Sequence, residues 1–391
     1  MAGEHFRKII QRAERLTDFY VHVRKSQYPA EITIYDDRGR IVSLATRWLA
    51  DVEYTNACGS RETFARYVIY LLRWMRRSGS LVRLSVDEAL RTLTRNHIKA
   101  WIDDSSDSKK LKASTIHQRE SVIAAFIEWM EKNHIRDETD TPYRSGKLIT
   151  KDSHNGLPQA ISEEKFIRLL NGYHNESERC MLHGMYDTGM RISEICRLRN
   201  RDLPDEHDFD GKKGLLPIRI QGSKGRGGHL VERNSIISLP LLARIRKYHN
   251  SDPAYVRRYP RRHDPDNLVF LSATGKELSR PNVHKQLKRA AGRAGLNPES
   301  VRTHTPRHSF SFEVLMAHDL AAETGTRYVM LTTLLGHRDP NSTKVYSRVH
   351  PEVLEAMRTE LFSKYEAACR IAEATTLAPL KHTEKRGHKT C

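Results

Sequence analysis

His304–Leu320 reads HTPRHSFSFEVLMAHDL. Thr305 and Pro306 have the form of a helix N-cap and first helical position, where proline's missing N–H has no intrahelical acceptor to lose. His304, Arg307 and His308 then crowd one helix N-terminus, an end whose free N–H groups and dipole already favour anions. Phe310, Phe312, Val314 and Leu315 supply the buried side. Three basic side chains on such an end suit a phosphate better than a carboxylate or an apolar ligand.

The bulk composition points the same way. Lys and Arg number 66 against 48 Asp and Glu, a net charge of +18 over 391 residues. That excess implies an acidic partner, with nucleic acid ahead of a membrane surface. No apolar run approaches the ~20 residues of a membrane span. The N-terminus, MAGEHFRKII, lacks the apolar core and cleavage site of a secretion signal. The five cysteines are scattered without a CxxC pair, and the 20 histidines show no HExxH spacing. These features predict no disulfide framework, no metal and no cofactor, in a reducing cytoplasmic setting alongside the nucleoid.

Residues 1–40 are charged and weakly patterned, an N-terminal extension of unknown role. At their end, ITIYDDRGRIV (Ile32–Val42) predicts a small hairpin turning at Asp37-Arg38-Gly39. Over 41–135 the pattern is helical. In RETFARYVIYLLRWMRR (Arg61–Arg77), Phe64, Val68, Leu71, Leu72 and Met75 fall at three- and four-residue steps and share one face. STIHQRESVIAAFIEWMEKN (Ser114–Asn133) repeats the theme, with Ser114 as the expected N-cap. All four tryptophans lie in this segment, which predicts a compact bundle of about four helices with aromatic core anchors. Residues 136–158 are polar and rich in turn formers, as an interdomain linker is. A second domain follows over 159–372, opening on a helix capped by Ser162 with Glu163 and Glu164 in its first turn. Residues 373–391 form a basic tail.

Three more stretches of the second domain carry candidate chemistry. In YDTGMRISEICRLRNRDL (Tyr186–Leu203), Gly189 breaks one helical run before another begins, and Arg191 falls at the new helix's positive end. Glu194 is spaced to share a face with Arg191 and hold its guanidinium. In GLLPIRIQGSKGRGGHLVERNSIISLP (Gly214–Pro240), two alternating segments flank QGSKGRGG, a hairpin whose tip carries Lys224 and Arg226. LLGHRDPNSTKVYSRV (Leu334–Val349) places His337 nine residues before Tyr346. Each stretch alone also fits an ordinary ion pair, a solvated turn or a packed aromatic. RRYPRR (Arg257–Arg262) could grip a phosphate backbone or be a solvated loop.

Taken in order, TGMRISEI, GSKG in a hairpin, HTPRH, LLGH and the tyrosine after it resemble the tyrosine recombinase, or phage integrase, family. The resemblance runs from about Thr188 to Tyr346, and less specifically over 41–134. It implies a mainly α fold with a small β-hairpin in the catalytic domain: an N-terminal helical core-binding bundle and a C-terminal α+β catalytic domain. Two features depart from the family's pattern. Pro306 stands where an apolar residue is usual, and the connection from His308 to Leu334 is long.

The resemblance also implies a reaction on double-stranded DNA. The Tyr346 hydroxyl, with an ordinary pKa of about 10, attacks a backbone phosphate and forms a 3′-phosphotyrosine with a free 5′-hydroxyl. A DNA hydroxyl later reverses the step, so neither ATP nor metal is needed. Arg191 and Arg307 would clamp the non-bridging oxygens. The leaving alkoxide, whose conjugate acid has a pKa near that of water, roughly 16, needs the proton assigned to Lys224. His304 would exchange the tyrosine proton or bond the phosphate, His337 would donate to the same phosphate, and Glu194 would orient its neighbours. A DNA-dependent tetramer at a specific recombination site is implied, serving integration or excision of a mobile element. EVLEAMRTELFSKYEAACRIAEA (Glu352–Ala374) is expected to be a helix that docks on a neighbouring protomer or packs within its own chain. A type IB topoisomerase or telomere resolvase would share the nucleophile and arginines. A non-catalytic DNA-binding protein on this scaffold would be expected to have lost Tyr346, Arg191 or Arg307.

Overall fold

The computed structural model describes residues 19–24, 31–52, 58–107, 111–136, 141–149, 160–205, 214–222, 232–317, 320, 324–336 and 363–377. They fall into two compact units, one of the described residues within 19–149 and one of those within 160–377.

The first unit opens with antiparallel strands β1 (Tyr20–Arg24) and β2 (Glu31–Tyr35), with Tyr20 opposite Tyr35 and their rings stacked 5.0 Å apart. The turn expected at Asp37-Arg38-Gly39 forms, with Gly39 in the left-handed region and its N–H donating to Asp36. It closes only a single bridge, Tyr35 to Ile41, because the chain turns into a helix at Ser43. Helices α1 (Ser43–Asp51), α2 (Cys58–Met75), α3 (Val86–Arg91), α4 (Arg95–Asp107) and α5 (Ala113–Lys132) follow. Helix α5 begins at Ala113 with Lys112 as its N-cap, so Ser114 lies inside the helix and does not cap it. Phe19, Ile32 and Ile34 are buried in the same core as Leu71, Leu72 and Phe126. Trp48, Trp74 and Trp101 are buried there too, as aromatic core anchors. Trp129 is half-buried and donates its indole N–H to Asp51 at 2.7 Å.

Residues 141–149, within the segment expected as a linker, are fastened to this unit. The Glu120 carboxylate, on α5, accepts the backbone N–H groups of Leu148 (2.5 Å) and Ile149 (2.9 Å). Arg95 donates to the carbonyls of Pro142 and Gly146. Polar turn formers mark a break in helical pattern, but they do not reveal whether a buried carboxylate elsewhere will collect their N–H groups.

The second unit contains α6 (Glu163–Asn171), α7 (Glu176–Thr188), the short α8 (Ile192–Ile195), β3 (Leu215–Gln221), β4 (Glu232–Ser238), α9 (Leu239–Ser251), α10 (Pro253–Arg258), α11 (Arg280–Arg293), α12 (Thr305–Met316), α13 (Thr324–Leu335) and α14 (Lys364–Thr375). Ser162 caps α6 as expected. Helix α7 is the axis of the unit, with every residue from Ser177 to Thr188 buried. Strands β3 and β4 pair antiparallel from Leu215–Ser238 to Gln221–Glu232, the hairpin expected from the alternation. Among the described residues the fold is thus mainly helical, with two small antiparallel sheets.

The long stretch between His308 and Leu334 contains helix α13, whose Leu331, Leu334 and Leu335 pack on Phe310, Phe312 and Leu315 of α12. The described part of the C-terminal helix, α14, packs on α6, α7 and α9 of its own chain, with Ala367, Ala368 and Ile371 buried. It continues to Thr375, past the boundary expected at 373.

Candidate active site

The turn between α7 and α8 is held at consecutive positions. Gly189 ends α7 in the left-handed region (φ 65°), and a Cβ there would come within 2.5 Å of the Phe310 ring. Glycine is therefore required both by the dihedral and by the approach of α12. The Asp187 carboxylate accepts the Ser238 N–H at 2.8 Å, and the Thr188 carbonyl accepts the Ser235 hydroxyl at 2.8 Å. The Gly189 carbonyl accepts Nη1 of Arg307 at 2.6 Å. Arg191 comes next, its backbone N–H 2.7 Å and its Nη1 2.9 Å from the two carboxylate oxygens of Glu194.

Glu194 is fully buried, and its second cation is Arg233 on β4, whose Nη2 lies 2.9 Å away. Burial alone would raise the Glu194 carboxyl. The Arg233 charge, the Arg191 backbone N–H and the Arg191 charge outweigh that and hold it below the usual carboxylate range. The three residues differ in what they can still reach. Arg233 is 8% exposed and donates through Nη1 to the Leu334 carbonyl. Arg307 is 5% exposed, with Nη2 donating to the Leu335 carbonyl at 2.7 Å. The Arg191 side chain is 30% exposed, and among the described residues its Nη2 meets no hydrogen-bond partner.

Two arginines thus take up the last carbonyls of α13, groups that have no intrahelical donor. Gly336 follows in the left-handed region and terminates the helix. His337 is the next residue. It and Tyr346, like Lys224 and Arg226, lie outside the described residues.

At the start of α12, His304 occupies the N-cap position, one residue earlier than expected. Thr305 Oγ1 is occupied by the Arg302 N–H, which is why it does not cap. Pro306 falls in the first turn without disturbing the helix. Burial lowers the His308 imidazole, and the charges of His304 and Arg307 push it the same way. RRYPRR begins on the last turn of α10 and leaves it at Tyr259, with Arg257, Arg258 and Arg261 exposed.

The structure therefore brings Arg191, Glu194 and Arg307 to one turn, and starts the helix of His304 beside it. The sequence reading missed Arg233, Asp187 and Lys364. Arg233 had left a trace: in β4 it alternates with Ser235 and Ile237 on the inward face, where a charge needs a partner. No group of three or more His, Cys, Asp or Glu that could hold a metal ion occurs among the described residues, and none of their helices is long and apolar enough to cross a membrane.

The model of the phage integrase family matches residues 147–352, which include every candidate side chain from Arg191 to Tyr346. The chain is 26% identical over 276 residues to "Tyrosine recombinase XerD" of Rickettsia bellii, covering 67% of this chain and 82% of that protein. Its fold is similar to that of XerH site-specific recombinase bound to a palindromic difH substrate (TM-score 0.56, 18% identity, 77% of this chain and 79% of that one). It is similar also to the Tn1549 transposon integrase in complex with circular intermediate DNA (TM-score 0.55, 14% identity, 81% and 97%). The family match spans more than half of the chain: the protein belongs to the phage integrase family of tyrosine recombinases, enzymes that transfer DNA strands.

Proposed function

We propose that the chain is a site-specific recombinase that cleaves and rejoins duplex DNA through a covalent 3′-phosphotyrosine at Tyr346. The observation that carries this reading is the Arg191 turn. It presents a part-exposed guanidinium, oriented by a buried carboxylate, on a backbone fixed at each preceding residue. A planar, permanently charged donor held before substrate arrives is what a phosphoryl transition state requires, because no reorganisation is needed as charge develops.

In this mechanism Arg191 meets the non-bridging oxygens directly. Arg307 adds positive charge from its braced position and keeps α12 and α13 in register with the turn. Tyr346 attacks phosphorus and passes its hydroxyl proton to His304, the 5′-oxygen leaves with a proton from Lys224, and His337 bonds the phosphate. The phosphodiester energy is retained in the phosphotyrosine, so the reverse attack by a DNA 5′-hydroxyl requires no nucleotide cofactor. The helical unit over 41–135 adds a second DNA-binding surface, and the net charge of +18 supports a polyanionic partner. The working assembly is a DNA-bound tetramer in the cytoplasm that integrates or excises a mobile element.

The test uses nicked duplexes built from the DNA flanking the gene, so that the cleaved 5′ fragment diffuses away and traps the adduct. A denaturing gel should show a protein–DNA band that Tyr346→Phe abolishes. A band that persists in that variant removes Tyr346 as the nucleophile.

A further inference from the structure

Lys364, the first residue of α14, is a buried lysine with 1% exposure. Its Nζ lies 3.1 Å from Glu313 Oε2 on α12 and 3.5 Å from Asp187 Oδ1 on the last turn of α7. It also sits 5.0 Å from the centre of the Phe310 ring, the ring that fills the space behind Gly189. Both acids have further partners: Asp187 accepts the Ser238 N–H, and Glu313 is hydrogen-bonded by Tyr186. The far end of α14 is fastened as well, since the Thr375 carbonyl accepts from Arg179 (2.9 Å) and Arg244 (3.0 Å).

A buried ammonium between two carboxylates has little freedom to move. Its charge is compensated only while both acids stay in place, so it ties together the elements that carry them. Here those elements are α7, which runs into the Arg191 turn, and α12, which carries Arg307. The ammonium itself comes from beyond Tyr346 in the chain. We propose that Lys364 is a positioning residue for the phosphate site: seating the helix that follows the nucleophile holds the Arg191 turn and the Arg307 helix in register. This rests on reading those arginines as the phosphate site. It assigns Lys364 no contact with DNA.

Two variants test it. Lys364→Met removes the ammonium and leaves two buried acids facing each other. The triple variant Asp187→Asn, Glu313→Gln, Lys364→Met removes all three charges and keeps the volume, so it serves where the single variant unfolds. Melting temperature, amide hydrogen exchange over residues 187–195 and 304–313, and the single-turnover rate of adduct formation at saturating nicked duplex are measured together. The expected result for the triple variant is a melting temperature near the native one. Exchange across both segments should be at least tenfold faster, and adduct formation about thirtyfold slower, with half-saturating DNA changed less than twofold. Native exchange and native rate in a stable triple variant would reduce Lys364 to a stabilising contact and overturn the proposal. If the native protein forms no adduct, the recombinase reading fails separately, and the exchange measurement still decides whether Lys364 ties the turn to α12.

Discussion

Arg307 Nη1 lies 2.6 Å from the carbonyl oxygen of Gly189, and its Nη2 lies 2.7 Å from that of Leu335. One buried guanidinium therefore joins the turn that precedes Arg191 to the helix end that precedes His337. Both carbonyls sit at helix C-termini, where the intrahelical donors have run out and the dipole favours a cation. The planar fork of arginine spans two acceptors that a single ammonium cannot.

Arg307→Lys should accordingly lose the bridge while keeping the charge. Hydrogen bonds to a charged group contribute about 1.5–3 kcal/mol each, so chemical denaturation should show a loss of roughly 2–3 kcal/mol. Adduct formation should slow by about 10²-fold or more, the range for removing one preorganised donor. A variant of native stability and native rate would show that the bridge is dispensable.

Gly189→Ala forces an L side chain into φ 65° and against Phe310 at 2.5 Å. The left-handed conformation alone costs about 1–2 kcal/mol, and the overlap adds about 1–3 kcal/mol. Thermal unfolding should register the sum, and Gly189→Ala with Phe310→Leu should recover the overlap part only. Full recovery would mean that the dihedral is not strained.

Glu194→Gln leaves Arg191 and the buried Arg233 facing a neutral amide. Breaking a buried ion pair costs about 3–5 kcal/mol. The native carboxyl is held below its ordinary range, so its contribution is complete above the unfolded value and fades as pH falls through the folded one. The stability difference between native and Glu194→Gln protein should therefore shrink in acid. A difference independent of pH down to pH 3 would count against an ionised Glu194.

His249 gives the opposite residue type with the same sign. Burial pushes its imidazole down to about 4, against the hydrogen bond it donates to the Val269 carbonyl at 2.9 Å. Its depressed value means that the unfolded chain binds the proton first as pH drops from 6.5. Stability should be full above about pH 6.5 and decline by ~3 kcal/mol towards pH 4, at 1.36 kcal/mol per unit. His249→Phe, which keeps the stacking on Tyr255, should flatten that slope between pH 4 and 6.5.

Glu120→Gln should release Leu148 and Ile149 from α5. Limited proteolysis across 141–149 should then accelerate several-fold while the helical core of the first unit stays protected. Unchanged cleavage would show that Arg95 and His117 suffice to hold the segment.

The sequence by itself determined the elements and the order of the chemistry. Helical periodicity, the β3–β4 alternation, the Gly189 break and the Ser162 cap are local signals. The spacing of Arg191 and Glu194 fixes a contact within one turn, so these were legible one stretch at a time. The turn at Asp37-Arg38-Gly39 was legible too, but the pairing of β2 with β1 upstream was not, because strand partners are chosen by sheet edges and not by turns alone. Only the tertiary structure decided which charges are buried together. Arg233 on Glu194, Arg307 on two carbonyls, Glu120 on a linker and Lys364 between Asp187 and Glu313 each join residues far apart in the chain. A buried charge is stable only where the fold delivers its partners, and no pattern within either segment records where the other will be.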